Sequence, residues 1–147
     1  MHDSELEILV VENELGDAEM IIRALRKNNI HNRIVHLKDG KEALDYLFAR
    51  GMFEGRDARQ HPKVVLLDLK MPKVDGVEVL QQMKLNADTR EIPVIVLTSS
   101  KDNPDMEKCY ALGVTSYVIK PLAIEDFVKV VGQLGLHWVL HNNQIPA

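Results

Sequence analysis

The stretch "VVLLD", residues 64 to 68, is an unbroken run of four apolar residues that ends in an aspartate. Strands that are covered by helices on both faces have such continuous apolar runs, whereas strands with one solvated face alternate apolar and polar residues. The run therefore predicts a strand inside a parallel sheet, with Asp68 at its carboxyl end. In open α/β sheets, ligands bind at this end of the strands, so Asp68 is the first candidate for a functional residue.

The segments on either side of this run repeat the same alternation of apolar runs and helical patterns. The other strand candidates are "EILVV" (7 to 11), "RIVHL" (33 to 37), "VIVLT" (94 to 98) and "SYVI" (116 to 119). Helical periodicity indicates helices over 16–28, 40–50, 76–86, 103–113 and 124–134. Five such units predict a doubly wound α/β domain with a five-stranded parallel sheet in the order 2-1-3-4-5. The loop 51–63 precedes the third strand, and we expect it to be a surface excursion at the opposite edge of the sheet.

Composition limits the function classes. The chain has 147 residues, of which 46% are hydrophobic and 27% are charged, as in an ordinary single globular domain. No apolar run reaches the length of about 18 residues that spans a membrane, and the acidic start does not resemble a secretory signal, so we expect a cytoplasmic protein without a membrane partner. A net charge of −4 argues against nucleic acid as a partner. The single cysteine, Cys109, excludes an internal disulfide and is interpreted as a spectator thiol among polar neighbours.

Polar residues follow the predicted strands at the edge where Asp68 lies. Each has a simple structural explanation when taken alone, as a loop cap, a β-branched strand residue or an exposed lysine. Together they match phosphoryl transfer to a carboxylate, in which a divalent cation neutralises the approaching charges while a hydroxyl and an ammonium group hold the remaining oxygens. The residues are Glu12, Asn13 and Glu14 after strand 1, Asp68 after strand 3, Thr98 and Ser99 after strand 4, and Lys120 and Pro121 after strand 5.

Four motifs occur in the order that is typical of the receiver domain of bacterial two-component response regulators. They are the acidic cluster 12–14 after strand 1, "LLDLKMPKVDG" (66 to 76), "VIVLTSS" (94 to 100) and "SYVIKP" (116 to 121). The chain resembles this family from residue 6 to about 134. The resemblance implies a flavodoxin-like receiver fold over 1–134, with Asp68 as the phosphoacceptor, Lys120 as the phosphate-binding lysine, and Thr98 and Tyr117 as the switch residues. It also implies a signalling switch rather than an enzyme, phosphorylated by a histidine kinase and acting through protein contacts.

The resemblance further implies a Mg²⁺ ion held by Glu12, Asn13, Asp68 and the backbone carbonyl of Lys70. The family normally has two adjacent acids after strand 1, and the second of these is Asn13 here. An amide offers a carbonyl oxygen without a charge, so we expect reduced Mg²⁺ affinity. Whether Glu12 or Glu14 compensates, and whether Asn13 instead caps the following helix, stays open at this point.

The last segment, 135–147, is a short extension rather than a second domain. Together with Leu134 it forms "LGLHWVLHNNQIP" (134 to 146), which resembles the extension of single-domain regulators that partner phytochrome-type histidine kinases. Its apolar residues predict either a contact with the fifth helix or a partner surface. We expect a homodimer that uses helix 4, strand 5, helix 5 and this arm. His137 and His141 lack a third ligand and do not by themselves indicate a metal site.

Two other functions remain open. In the first, Asn13 has disconnected the site from phosphate, and the chain is a receiver-like binding module. In the second, Asp68 is the nucleophile of a small-molecule phosphatase. Phosphatases of the haloacid-dehalogenase kind usually have a second aspartate two residues after the nucleophile, and this chain has Lys70 there.

Overall fold

The computed structural model describes residues 7–27, 31–69, 71, 73–98, 105–114 and 116–119. The strands are β1 (Ile8–Val11), β2 (Ile34–Leu37), β3 (Val64–Asp68), β4 (Val94–Thr98) and β5 (Ser116–Ile119). The described helices are α1 (Leu15–Lys27), α2 (Gly40–Leu47), α3 (Gly76–Leu85) and α4 (Asp105–Ala111), and a 3₁₀ turn spans Gly51–Phe53. The predicted fifth helix, 124–134, lies outside the described residues. None of the described helices has the length and apolar content needed to cross a membrane.

The strands form one parallel sheet in the order β2-β1-β3-β4-β5. Strand β3 lies between β1 and β4, with Val11 paired to Leu67 and Asp68 paired to Leu97. Strand β5 adds beyond β4, where Thr98 is paired with Ile119. A parallel α/β fold of the flavodoxin-like type is therefore confirmed, and the carboxyl ends of β1, β3 and β4 meet at one edge.

Alternate residues of the central strands pack into different sides of the sheet. Leu9, Val11 and Leu67 belong to a core cluster that also contains residues of α2, α3 and α4. Ile8, Val10 and Leu66 have the opposite parity along their strands and are also fully buried, together with Ala18, Ile21 and Leu25 of α1. Burial of both faces explains why β1 and β3 are continuously apolar. Strand β2 lies at the edge of the sheet, and three of its four residues are only half-buried.

Two helices that begin near the functional edge are capped by aspartates. Asp39 accepts a hydrogen bond from the amide of Glu42 at 2.8 Å, and Asp75 accepts one from the amide of Glu78 at 3.0 Å. These side chains satisfy amide groups that the first helical turn leaves unpaired. Helix α4 ends near Gly113, whose φ of 81° is the left-handed conformation that glycine adopts most easily.

The prediction that Cys109 lies among polar neighbours was wrong. Its side chain is 0% exposed and belongs to the core cluster together with Val96 and Val114. The residues on either side of it in α4, Lys108 and Tyr110, are exposed, so the polar surroundings exist in the sequence but not in space. Position 109 lies on the inward face of the helix, where a thiol packs as a small apolar group.

Most residues of the loop 51–63 are exposed, as predicted for a surface excursion, and a few contacts anchor the loop to the domain. Phe53 packs edge-on against Tyr46 with ring centroids 5.1 Å apart, and the Arg56 guanidinium lies 4.0 Å from the centre of the same ring. The loop returns to the sheet where the amide of Lys63 donates to the carbonyl of Glu7 at 2.8 Å. Because Glu7 precedes β1, this places the end of the loop at the amino edge of the sheet, away from Asp68.

A buried polar pair supports this amino edge. The Tyr46 hydroxyl donates a 2.6 Å hydrogen bond to Oε1 of Glu7, whose side chain is 1% exposed. Arg33 provides a partly exposed positive charge, with its Nε 3.6 Å from Oε2 of Glu7. The buried carboxyl group is therefore held by a hydroxyl from α2 and a guanidinium from the residue before β2.

Candidate functional site

Two buried acids lie next to each other at the carboxyl edge of the sheet. Asp68 is the last residue of β3 and is 5% exposed, and Glu12 directly follows β1 and is 0% exposed. Because Val11 pairs with Leu67, Glu12 and Asp68 are the next facing positions on the two strands. Each belongs to a residue type that is rarely buried without a compensating partner. The sheet register thus concentrates negative charge at one point of the edge.

The residues after Glu12 differ in how far they enter this edge. Asn13 is half-buried, whereas Glu14 is exposed. The amide of Glu14 donates to Oε2 of Glu12 at 3.2 Å, which turns the chain back over the Glu12 side chain. Between the two glutamates that the sequence left open as a compensating acid, the burial of Glu12 beside Asp68 favours Glu12.

His36 contacts the main chain at the end of β1. Its Nε2 lies 2.7 Å from the carbonyl oxygen of Glu12, and because a carbonyl can only accept, Nε2 carries the proton in this contact. The amide of Glu12 in turn donates to the carbonyl of Leu37 at 2.9 Å. Both contacts come from β2 and hold the backbone of Glu12 against that strand. The sequence reasoning did not identify His36 as part of this edge.

The segment after Asp68 folds back on the end of β3. The amide of Gly76 donates to the carbonyl of Leu69 at 2.8 Å. A Cβ atom at position 76 would clash with the carbonyl oxygen of Asp68 and would lie 2.7 Å from Cα of Leu69, so only glycine allows α3 to begin this close to the strand. Within the segment, Lys73 has the left-handed φ of 68°.

The start of α2 touches the same segment, which the sequence reasoning did not foresee. Nζ of Lys73 lies 3.7 Å from Oδ2 of Asp39, an aspartate that is 4% exposed. A Cβ atom at position 40 would clash with the carbonyl oxygen of Val74, because Gly40 and Val74 are in direct backbone contact. The available signal in the sequence was Asp39 followed three residues later by Glu42, which is typical of a helix start.

The structure places the other predicted site residues unequally. Thr98 is the last residue of β4 and directly follows Leu97, which pairs with Asp68. Tyr117 of β5 pairs with Val96, two residues before the end of β4. Both backbones are therefore on the strands that the sequence predicted. Lys120 and Lys70 lie outside the described residues, as does the extension 135–147.

The donor atoms at this edge suit a hard divalent cation. Carboxylate and amide oxygens are the ligands that Mg²⁺ and Mn²⁺ accept, and the two buried carboxylates in adjacent register positions offer such oxygens. The described part of the chain has no group of three or more His, Cys, Asp or Glu side chains that could hold a metal ion. The third position near the two acids, residue 13, has an amide instead. The residues fit a cation site with a reduced number of charges.

Comparison with known proteins identifies relatives along nearly the whole chain. The family model described as "Response regulator receiver domain" matches residues 8–132. The probable methanogenesis regulatory protein FilR2 of Methanothrix harundinacea is 45% identical over 132 residues, which cover 90% of this chain and 83% of that protein.

Solved structures show the same similarity in three dimensions. The bacteriophytochrome response regulator AtBRR has a TM-score of 0.81 and 45% identity, covering 90% of this chain and 94% of that one. The Mn²⁺-bound form of response regulator Rcp1 has a TM-score of 0.74 and 35% identity, covering 96% of this chain and 99% of that one. Rcp1 is a protein of Synechocystis.

Proposed function

Since this chain belongs to the response regulator receiver domain family, whose members are signalling modules, we propose that Asp68 is its phosphoacceptor and a histidine kinase its phosphodonor. The observation that carries this proposal is the position of Asp68, buried at the end of the central strand β3 and next in register to the buried Glu12. A carboxylate at this place can approach a phosphoryl group only if its own charge is balanced. The neighbouring oxygens supply a site for the cation that does so.

The proposed reaction transfers one phosphoryl group between two side chains. The P–N bond of the kinase's phosphohistidine breaks, and a carboxylate oxygen of Asp68 forms the new P–O bond, giving an aspartyl phosphate. The imidazole leaves with the electron pair of the broken bond and takes up a proton. Mg²⁺, when bound, neutralises the charges of the carboxylate and of the phosphoryl oxygens.

Three described residues would hold the cation. Glu12 and Asp68 supply carboxylate oxygens, and Asn13 supplies an amide oxygen from its half-buried position. The backbone carbonyl of Lys70 is proposed as a fourth ligand on the strength of the family resemblance. Because one acid of the usual pair is replaced by an amide, we propose a lower Mg²⁺ affinity than a site with both acids would have.

The remaining residues would act on the phosphoryl group after transfer. We assign the Thr98 hydroxyl and the Lys120 ammonium group to its free oxygens, and Tyr117 to the coupled rearrangement of the β5 face. The position of Thr98 at the end of β4, directly after the residue that pairs with Asp68, supports its part of this assignment. Phosphorylation would then shift the population between two states of the face predicted for helix 4, strand 5 and helix 5.

The proposed partners follow from the relatives. AtBRR is a bacteriophytochrome response regulator, and it is 45% identical to this chain, which supports a phytochrome-type histidine kinase as the donor. The homodimer, the receiver boundary at residue 134, the dimerisation arm 135–147 and the cytoplasmic location stay predictions. So does the absence of a nucleic acid or membrane partner.

A phosphodonor assay tests the proposal. The full chain is incubated with acetyl phosphate and Mg²⁺, and the intact mass is measured for the wild type, Asp68→Ala and Asp88→Ala. Asp88 is an exposed aspartate in the turn between α3 and β4 and serves as the matched control. We expect the mass of one phosphoryl group on the wild type and on Asp88→Ala, and none on Asp68→Ala.

The same assay tests the alternative that the chain is a receiver-like binding module, which the amide at position 13 favours. If the wild type stays unmodified at every Mg²⁺ concentration while Asn13→Asp is phosphorylated, the chain is a receiver-like binding module. If Asp68→Ala is phosphorylated to the same extent as the wild type, Asp68 is not the acceptor and the proposed function is refuted.

A further inference from the structure

We propose that the Asp39-Gly40 turn at the start of α2 is a positioning element for the phosphoacceptor, holding residues 73–76 against the end of β3 so that Asp68 keeps the position in which it binds the cation. This inference rests on the proposed function of Asp68. The juxtaposition that carries it is the contact of this turn with Val74 and Lys73, although the two segments are more than 30 residues apart in the chain. Asp39 and Gly40 would touch neither the cation nor the phosphoryl group.

The first part of the contact is steric. A Cβ atom at position 40 would lie 2.7 Å from the carbonyl carbon of Val74 and 2.9 Å from its Cβ, which is closer than a Cβ atom comes to another non-bonded carbon. The atoms concerned belong to backbone and to a Cβ, so neither can rotate out of the way. Any residue with a side chain at position 40 must therefore displace either α2 or the segment that contains Val74.

The second part is electrostatic. Asp39 is 4% exposed, and it uses Oδ1 to cap α2 through the amide of Glu42 and Oδ2 to pair with Nζ of Lys73 at 3.7 Å. One carboxylate thus connects the helix start to the only described residue of 69–76 that has a left-handed φ. A backbone conformation that is costly for lysine persists only where surrounding contacts hold it.

The contact chain continues to the phosphoacceptor itself. Val74 lies two residues before Gly76, and Gly76 packs directly against the carbonyl of Asp68 while its amide bonds to Leu69. A displacement of Val74 would therefore be transmitted to the backbone of Asp68 within a few residues. Changes in residues that orient metal ligands typically lower metal affinity by about 10- to 100-fold.

The test compares cation binding and amide exchange in variants of the full chain. The probe is Mn²⁺, whose free concentration is read by electron paramagnetic resonance in the absence of any phosphodonor. We expect Gly40→Ala to bind Mn²⁺ about tenfold more weakly than the wild type. We also expect faster hydrogen exchange at the Gly76 amide, because its bond to Leu69 depends on the same segment.

Two control variants separate positioning from general effects. Gly55→Ala adds a methyl group where no atom lies within 4 Å, so it should change neither quantity. Thr89→Ala removes a buried hydroxyl that donates to the carbonyl of Met83 at 2.7 Å, so it should lower the melting temperature without changing Mn²⁺ affinity. A merely structural role for Gly40 would make Gly40→Ala behave like Thr89→Ala.

The ion pair is tested by Lys73→Met, which removes a positive charge. A purely electrostatic role predicts tighter cation binding, because one repulsive charge is gone. The positioning role predicts binding that is weaker by about two- to fivefold, the range expected for a partly exposed ion pair. Tighter binding by Lys73→Met would overturn the role of the pair.

The outcomes also separate this inference from the proposed function. Unchanged Mn²⁺ affinity or unchanged Gly76 exchange in Gly40→Ala overturns the positioning role, even if the wild type is phosphorylated normally. A wild type that binds no Mn²⁺ refutes the cation site of the proposed function. In that case the exchange of the Gly76 amide still decides whether the turn holds the segment.

Discussion

The substitution Asn13→Asp is expected to tighten Mg²⁺ binding and to make the free energy of unfolding depend on the Mg²⁺ concentration. At an effective dielectric constant of 20, a pair of unit charges about 4 Å apart interacts with roughly 4 kcal/mol before desolvation. The new carboxylate must also lose part of its hydration and lies near Glu12 and Asp68, which are 0% and 5% exposed. We expect a net gain of about 1.4 to 2.8 kcal/mol, which is ten- to a hundredfold in affinity.

The same charge has the opposite effect without the ion. At the same dielectric constant, two carboxylates separated by about 6 Å would repel each other with roughly 3 kcal/mol before solvation. Relaxation and solvation reduce this repulsion, and we expect Asn13→Asp to lose about 1 to 2 kcal/mol of unfolding free energy in chelator. Saturating Mg²⁺ should restore it, because a ligand that binds only the folded state stabilises that state.

The assay is isothermal titration with Mg²⁺ together with urea unfolding in chelator and in excess Mg²⁺. Asn86→Asp, at the exposed residue that follows α3, is the matched control for Mg²⁺ affinity. It does not serve as a control for stability, because it removes the 3.0 Å hydrogen bond that Nδ2 of Asn86 donates to the carbonyl of Gln82. The ten residues of α3 put Asn86 about 15 Å from the start of that helix, beyond the screening length at physiological salt. Equal Mg²⁺ affinity in Asn13→Asp and the wild type, or equal stability in chelator, would refute the charge argument.

Three further predictions concern buried side chains. Burial, and next the hydrogen bond to Glu7, raises the pKa of Tyr46, so the stability of the wild type falls as pH rises through and above about 10. Tyr46→Phe should lower the free energy of unfolding by about 1 to 3 kcal/mol at neutral pH. In urea unfolding between pH 8 and 11 its stability should fall less steeply than that of the wild type, and an equally steep fall would contradict the assignment. The hydrogen bond from Lys41 is the main reason that the pKa of Asp45 is lowered from 3.8. The ionised carboxylate of Asp45 therefore stabilises the fold above this pH, and the stabilisation is lost as the pH falls below it. On acidification from pH 5 to 2, the melting temperature of Asp45→Asn should fall less than that of the wild type, and an equal fall would refute the role of this carboxylate. Cys109→Ser should destabilise by about 1 to 3 kcal/mol, and a thiol reagent that modified wild-type Cys109 faster than the chain unfolds would show that the thiol is not buried.

Local patterns determined the elements well because they depend on neighbours in sequence. The predicted third, fourth and fifth strands have the bounds observed for β3, β4 and β5. Helix α2 was expected to reach Arg50 but ends at Leu47, since Ala49 has a left-handed φ of 53° and the Arg50 amide donates to the carbonyl of Asp45 at 2.9 Å. No periodicity predicts such a turn, because it depends on which groups meet after the chain has folded.

The same division holds for the candidate site. Asp68 was recognised from the sequence because it is a polar residue at the end of an apolar strand. The sheet register then shows that it is a neighbour of Glu12. The burial that separates Glu12 from the exposed Glu14 could not be derived from a sequence in which both are glutamates within three residues. His36 was overlooked because its contact is with a backbone carbonyl on another strand.

The amino-acid sequence by itself therefore determined the α/β class, the positions of the strands and the chemistry gathered at their carboxyl ends. These follow from hydrophobic periodicity and from the rule that parallel strands end at a common edge. The tertiary structure alone decided that Cys109 is a core residue and that Asp39 and Gly40 contact the segment after Asp68. Such contacts join residues that are far apart in the chain, and their formation depends on how helices and loops pack rather than on any local pattern.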